Sequence, residues 1–285
     1  MRPISGRFAM LLRSVALAGL VVPSLMPGPG MAAALPRIAS MNVCTDQLLL
    51  PVADPEQIVG LSRFSRAAWL TKDPRPYPML SGSAEDVLVL RPDVVIASMF
   101  DKRSTRELLK QHGLRLIELP VPRNLSEVKG QIRQLGEIAG HPDRAMAEIA
   151  RLDAALARAR HTVGDKHYRI LQLTRRGWVE GSDSFISSLL SAAGLFNTAG
   201  ELGFKFGGYA SLETIVNLKP DLLVVSQAGS VAHDDGQAFL LHPALERFYP
   251  PQKRIVIPEG LTECGGGMLA EALDVLVREL KRVSP

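Results

Sequence analysis

One segment of the sequence occurs twice, and this repeat constrains the fold more than any other feature. The first copy runs from Ser83 to Ser98 and the second from Ser211 to Ser226. Both read Ser-x-Glu, then Leu followed by Arg or Lys, then Pro-Asp and a run of branched apolar residues. The copies lie about 128 residues apart, which is the size of a small domain and too long for a solenoid repeat. The sequence therefore predicts two similar lobes.

Each copy of the repeat predicts a short helix followed by a buried strand. Serine is a favourable N-cap, and a glutamate in the first turn suits the positive end of the helix dipole. Proline ends the helix, because the residue before proline avoids the α region. The branched apolar run that follows is typical of a strand buried on both faces. Strands that alternate with helices predict an α/β fold, here two Rossmann-like lobes with parallel sheets.

A long stretch rich in Ala, Arg, Glu and Leu separates the two halves. Apolar residues recur at helical spacing from Asn124 to about Thr162, with a break at Gly140. These residue types are strong helix formers, so the stretch is a stiff connector and not a flexible linker. We expect an N-terminal lobe over residues 35–123, a connecting helix over 124–165 and a C-terminal lobe over 166–285.

The N-terminus has the pattern of an export signal. Arginines precede an uncharged apolar run from Ser14 to Met26, and Ala32 to Ala34 form an A-x-A cleavage site. The rival interpretation is a membrane anchor, but the run is shorter than the roughly 20 residues that a bilayer requires. We therefore predict residues 1–34 to be a signal peptide that is cleaved near Ala34, which gives a periplasmic protein. Without a Leu-x-x-Cys motif at the junction, the mature protein is expected to be free of lipid.

The composition and motifs favour binding over catalysis. The chain is 46% hydrophobic and 22% charged with a net charge of +4, and it has no basic run interleaved with aromatics that would predict nucleic-acid binding. It contains no nucleophile elbow, phosphate-binding loop or His-Glu-x-x-His motif. Its six histidines are scattered, so their spacing predicts no metal site.

Candidate binding residues follow from the predicted positions of the strand ends. Ligands of open α/β sheets bind beyond the carboxyl ends of the strands. Aromatic, Met and Arg side chains dominate there, which suits a bulky, partly apolar and anionic ligand. The alternative is that several of these side chains, especially Met99 and Phe206, pack under loops. The candidates are Asn42, Cys44, Arg63, Phe64, Gly82, Met99, Phe100, Arg175, Arg176, Trp178, Phe206, Tyr209 and Gln227.

Two cysteines in an exported chain raise the question of a disulfide. Cys44 and Cys264 both fall in predicted loops at strand ends, one in each lobe. A bond between them would clamp the predicted crevice on one side. Two free thiols and a role in ligand contact remain open, since geometry decides between them.

The sequence resembles a known family at three places: Arg37 to Ser40, Glu56 to Leu61, and the two copies of the repeat. These look like the periplasmic binding proteins of iron-siderophore and cobalamin ABC importers. The resemblance implies two lobes joined by a long helix, a ligand between them and no enzymatic activity. It also implies that Glu85 and Glu213 dock onto the membrane permease.

The partners implied by this resemblance are the ABC permease, its ATPase subunits and a small metal-chelate ligand. We expect a monomer without a cofactor or metal of its own, whose ligand is a ferric siderophore or a corrinoid such as cobalamin. Haem is the alternative, because Arg63, Arg66, Arg175 and Arg176 suit propionates and Tyr209 could ligate iron. A rival class is a metal-cluster enzyme on the same doubled plan, which requires more cysteines than the two present.

Overall fold

The computed structural model describes residues 34–65, 76–226 and 238–283, and within them lie two separate β-sheets. The first sheet has the order β3-β2-β1-β4-β5, and all of its neighbouring strands are parallel. Its strands are β1 (Ile38–Ser40), β2 (Ile58–Ser62), β3 (Met79–Leu80), β4 (Val94–Ser98) and β5 (Arg115–Leu119). These are the parallel strands that the first half of the sequence predicts.

The second sheet is mixed. Its order is β11-β10-β6-β7-β9, and β8 pairs with the start of β6. The strands β6, β8, β10 and β11 are parallel, whereas β7 and β9 are antiparallel. The strands are β6 (Arg169–Leu173), β7 (Trp178–Glu180), β8 (Phe196–Asn197), β9 (Gly207–Tyr209), β10 (Leu222–Val225) and β11 (Arg254–Val256).

The prediction of a fully parallel second sheet is therefore wrong for two strands. The segment from Thr174 to Gly177 between β6 and β7 is too short for a parallel crossover, so the chain turns back beside β6. Strand β9 then pairs with β7 in the antiparallel direction.

Helices cover the sheets and connect them. The α-helices are α1 (Val43–Leu49), α2 (Ala84–Leu90), α3 (Arg103–Gln111), α4 (Leu125–Ala139), α5 (Pro142–Val163), α6 (Phe185–Ala192), α7 (Leu212–Leu218), α8 (Pro243–Phe248) and α9 (Leu269–Val283). Short 3₁₀ segments occur at Pro55–Gln57, Arg175–Gly177, Thr198–Leu202, Pro251–Lys253 and Glu259–Leu261.

The repeat forms the same structure in both lobes. Ser83 caps α2 and Ser211 caps α7, and each helix ends at a left-handed basic residue before the Pro-Asp pair. The aspartate then accepts a backbone hydrogen bond from the first strand of its lobe. Asp93 Oδ2 lies 2.7 Å from the nitrogen of Arg37, and Asp221 Oδ2 lies 2.8 Å from the nitrogen of Arg169. The two halves of the molecule are thus built on one plan.

The 22-residue helix α5 connects the two lobes. It follows α4 directly, so the predicted connector contains two helices with a turn at Gly140, of which α5 is the long one. Its first turn is tied to the first lobe, where Arg144 Nη2 lies 2.6 Å from Asp54 Oδ1. Farther along, Arg158 reaches Asp274 of α9 at 2.7 Å.

One apolar core extends along α5 and into both lobes. It includes side chains of α4, α5 and α9 together with one face of each sheet. The outer faces of the two sheets carry separate clusters. A shared core makes the connection stiff, because separating the lobes along α5 would expose buried apolar surface.

Some predictions fall outside the described residues. These are residues 1–33 of the predicted signal peptide (1–34) and the candidates Arg66 and Gln227. Among the residues that the structure covers, none of the helices is both long and apolar enough to cross a bilayer.

Candidate functional site

The carboxyl ends of strands from both sheets converge on one side of the molecule. Cys44 follows β1 in the first lobe, and Cys264 lies in the loop between β11 and α9 in the second. A disulfide joins them, with a Cα–Cα distance of 5.1 Å. This places the strand-end loops of the two lobes side by side, as expected for a ligand site of open α/β sheets.

A small cavity marks the junction. Its volume is about 70 Å³, and residues from both lobes line it. Asn42, Ser98 and Phe100 come from the first lobe, and Glu263 with the disulfide closes the other side. We call the region between the strand-end loops of the two sheets the crevice.

Exposed apolar side chains of the first lobe follow the carboxyl ends of its strands. Phe64 follows β2 and is 52% exposed, and the guanidinium carbon of Arg63 lies 4.8 Å from the centre of its ring. Met99 and Phe100 follow β4 and are 58% and 74% exposed. Exposed side chains of this size indicate a binding surface when they cluster. Val121 after β5 adds a further exposed apolar side chain that the sequence analysis did not identify.

A short hydrogen-bonded turn holds Phe100 in place. The backbone N–H of Ser98 donates to Asp101 Oδ2 at 2.7 Å, and the N–H of Phe100 donates to the hydroxyl of Ser98 at 3.1 Å. Burial raises the pKa of Asp101. An exposed aromatic ring on a fixed turn loses little conformational entropy when it binds a ligand.

The start of α1 in the first lobe carries polar side chains. Asn42 caps α1, where its side chain accepts from the N–H of Cys44 at 3.0 Å. The helix begins at Val43, and Thr45 closes the capping box. Beneath it, Asp46 is fully buried and accepts from the backbone and the hydroxyl of Ser62 at 3.2 and 2.5 Å. Burial raises the pKa of Asp46 to about 7.

The second lobe contributes an aromatic pair. Trp178 and Tyr209 face each other across β7 and β9, with ring centres 5.1 Å apart in an edge-to-face arrangement. The indole N–H of Trp178 donates to Glu180 Oε1 at 3.0 Å, and burial raises the pKa of that carboxyl. Tyr209 remains 67% exposed. Arg175 and Arg176 form the turn that leads from β6 to this pair.

Phe206 and Gly82 are the remaining described candidates, and each lies next to a short strand. Phe206 is 73% exposed but precedes β9, at the end of the β7–β9 ribbon opposite Trp178 and Tyr209. Gly82 lies where β3 leads into α2, and its carbonyl accepts from the hydroxyl of Thr105 at 3.0 Å. Gly207, the neighbour of Phe206, packs against the indole ring of Trp178.

The two glutamates of the repeat occupy equivalent exposed positions. Glu85 lies in the first turn of α2 and Glu213 in the first turn of α7. Hydrogen bonds from its own N–H and from Ser83 hold the pKa of Glu85 below its usual range. Each lobe thus presents one carboxylate at the start of the helix that follows a strand-end loop.

Some polar groups near the crevice have no direct signal in the sequence. Asp46 lies in an ordinary helical pattern, and Glu180 follows Trp178 in a segment without alternation. Only the tertiary fold buries them. Within residues 34–65, 76–226 and 238–283, no three His, Cys, Asp or Glu side chains are grouped to hold a metal ion.

A family model described as "Periplasmic binding protein" matches residues 38–253, from β1 to the residue before β11. This match covers most of the chain and both sheets. The chain belongs to this family. The resemblance noted in the sequence is therefore confirmed.

Similar proteins have been named and solved. A cobalamin-binding protein of Halobacterium salinarum is 25% identical over 197 residues, which cover 66% of this chain and 53% of that protein. The chain thus spans about half the length of the curated relatives that it matches.

Solved structures share the fold. The apo form of the periplasmic heme-binding protein RhuT from Roseiflexus sp. RS-1 superposes with a TM-score of 0.68 at 23% identity, covering 88% of this chain and all of that one. A periplasmic heme-binding protein from Pseudomonas aeruginosa gives a TM-score of 0.67 at 23% identity, covering 85% and 92%. At this identity the likeness establishes the two-lobed α/β fold that the repeat predicts.

Proposed function

We propose that this chain is the solute-binding protein of an ABC importer and carries a corrinoid or a ferric siderophore in the crevice. The observation that supports this most directly is the set of exposed aromatic and Met side chains at the strand ends. Phe64, Met99 and Phe100 stand on one lobe, and Trp178 and Tyr209 stand on the other. Flat apolar walls of this kind suit a large ring system.

A corrinoid is the leading ligand. The relative from Halobacterium salinarum is named a cobalamin-binding protein. The polar groups beside the aromatic walls include the carboxyls of Asp101, Glu180 and Glu263, whose pKa values burial raises. Carboxyl groups accept hydrogen bonds from amide N–H groups, which ring the periphery of a corrinoid.

Haem is the second candidate, and Tyr209 is the observation that favours it. Its ring is 67% exposed beside Trp178, so its hydroxyl could ligate iron. The similar structures named above are heme-binding proteins. The arginines at 63, 175 and 176 would then meet the propionates.

Binding of cyanocobalamin, haemin and a ferric catecholate to the purified mature protein distinguishes these ligands. We expect cyanocobalamin to raise the melting temperature and to quench Trp178 fluorescence, because a ligand that binds only the folded state stabilises it. Trp178→Ala should weaken binding by about tenfold or more. Tyr209→Phe keeps the ring and removes the hydroxyl, so it should spare cyanocobalamin and impair haemin. If none of the three ligands binds, the proposed ligand class is wrong.

Delivery would occur through Glu85 and Glu213. The exposed carboxylates at equivalent helix starts of the two lobes can meet cationic side chains of a permease, and the ATPase subunits would then drive transport. The double variant Glu85→Ala/Glu213→Ala should keep ligand affinity and lose permease binding in a reconstituted pull-down. Glu137→Ala, an exposed glutamate on α4, is the matched control. Unchanged binding of the double variant would refute docking through these residues.

Export completes the proposal. Residues 1–34 would direct the chain to the periplasm and be removed near Ala34, and the mature protein would act as a monomer. Edman sequencing of the exported protein, with Leu35 as the expected first residue, tests the cleavage position.

A further inference from the structure

We propose that the contact between α1 and the loop before α9 is a redox-controlled latch that governs how far the two lobes open. We call this contact the seam. It consists of Cys44 and Gln47 from the first lobe and residues 264–267 from the second. The part of the proposal that concerns ligand release depends on the proposed function, whereas the latch itself does not.

The disulfide is the covalent part of the seam. It connects residues separated by 220 positions in the chain, and it bridges the two lobes rather than staples one of them. Cys264 is only 2% exposed. While the bond is intact, the start of α1 cannot move away from the loop before α9.

Close backbone packing is the second part. A Cβ on Gly265 would lie 2.7 Å from Cγ of Pro122 in the first lobe and 2.8 Å from Cγ2 of Val128 in α4. A Cβ on Gly266 would lie 3.2 Å from the Cβ of Gln47. The glycine backbone of the second lobe thus packs directly against the other side of the seam. A side chain at position 265 or 266 would have no room there.

An unsatisfied amide is the third part. Gln47 is 3% exposed, and within the described chain neither its Oε1 nor its Nε2 has a hydrogen-bond partner. Buried polar groups without partners are rare in folded proteins and destabilise the state that buries them. The closed seam buries this amide beside Gly266, and opening the seam would hydrate it.

These parts act in opposite directions. The disulfide keeps the seam closed, and hydration of Gln47 favours the open seam. Reduction by a dithiol transfers two electrons and two protons to the protein: the Cys44–Cys264 bond breaks, two thiols form, and the dithiol becomes a cyclic disulfide. Once the bond is broken, only non-covalent packing opposes hydration of Gln47, so the seam opens more often than in the oxidised protein.

Hydrogen exchange of the ligand-free protein tests the latch. Peptides that cover residues 43–50 and 261–268 should exchange slowly in the oxidised protein. With dithiothreitol, or in the Cys44→Ser/Cys264→Ser variant, we expect their exchange to rise by about tenfold. Amides of β4 and β10 should stay protected over the time in which the seam peptides exchange, because the proposal concerns local opening and not unfolding.

A rescue variant separates the role of Gln47 from mere loss of a crosslink. Gln47→Met keeps the length of the side chain and removes the amide, so adding it to the double serine variant should return seam exchange to near the oxidised rate. Gln131→Met is the matched control, because the buried amide of Gln131 already donates to Pro120 O at 2.7 Å. It should not slow exchange at the seam.

Each outcome decides the proposal. Unchanged seam exchange after reduction, exchange of β4 and β10 on the same time scale as the seam, or failure of Gln47→Met to restore protection would overturn the latch. Dissociation of cyanocobalamin should also become faster on reduction. Failure of cyanocobalamin to bind at all would reject the proposed ligand and leave the exchange experiment on the free protein valid.

Discussion

The buried carboxyl of Asp46 predicts how stability depends on pH. Burial in the first lobe raises its pKa from 3.8 to about 7, although the backbone and the hydroxyl of Ser62 both donate hydrogen bonds to it. Between these values the folded protein holds a proton that the unfolded chain releases. Stability from this group is therefore complete below about pH 4 and is lost as the pH rises towards 7. The gap of about 3.2 pH units corresponds to roughly 4 kcal/mol at about 1.36 kcal/mol per unit.

Asp46→Asn isolates this effect. Asparagine has the same shape and can still accept from the N–H of Ser62, but it does not ionise. Urea unfolding of both proteins from pH 4 to pH 8 gives the difference in unfolding free energy, in which the other titrating groups cancel. We expect the wild type to lose up to roughly 4 kcal/mol relative to the variant as the pH rises from about 4 to 7, with no further change above. A difference that stays constant with pH would refute the reasoning.

Three further perturbations can be tested together. Mass spectrometry of the unreduced protein should show one peptide pair linked through Cys44 and Cys264, and two alkylatable thiols would contradict the bond. Replacing both cysteines with serine should lower the free energy of unfolding by roughly 2–5 kcal/mol. Ile215→Ala, in the fully buried cluster on the outer face of the second sheet, should cost roughly 2–5 kcal/mol in urea unfolding, and a loss near zero would contradict its placement. Asp221→Ala should lower the urea midpoint by leaving the N–H of Arg169 unpaired, and an unchanged midpoint would count against that contact.

The fold could be predicted where its signals are local. The repeat carries a serine cap, a proline stop and a branched apolar run, and each acts within a few residues. The start of α1 is ambiguous in the sequence, because Asn42 and Thr45 are both good caps. The ribbon of β7 and β9 could not be predicted, because pairing between Trp178 and Tyr209 depends on residues far apart in sequence.

The site could be predicted in outline for a similar reason. Once strand ends are known, the exposure of Phe64, Met99 and Phe100 follows from the topology. The burial of Asp46 and Gln47 does not follow, since their neighbours Ser62 and Gly266 come from other parts of the chain.

The aspartate that follows each proline has a consequence for how far the two halves can diverge. Asp93 and Asp221 bind main-chain N–H groups, which every residue except proline supplies. The residues around the two aspartates can therefore change without breaking these hydrogen bonds. The two halves of an internal duplication held together in this way can lose nearly all of their sequence identity while their backbones still superimpose.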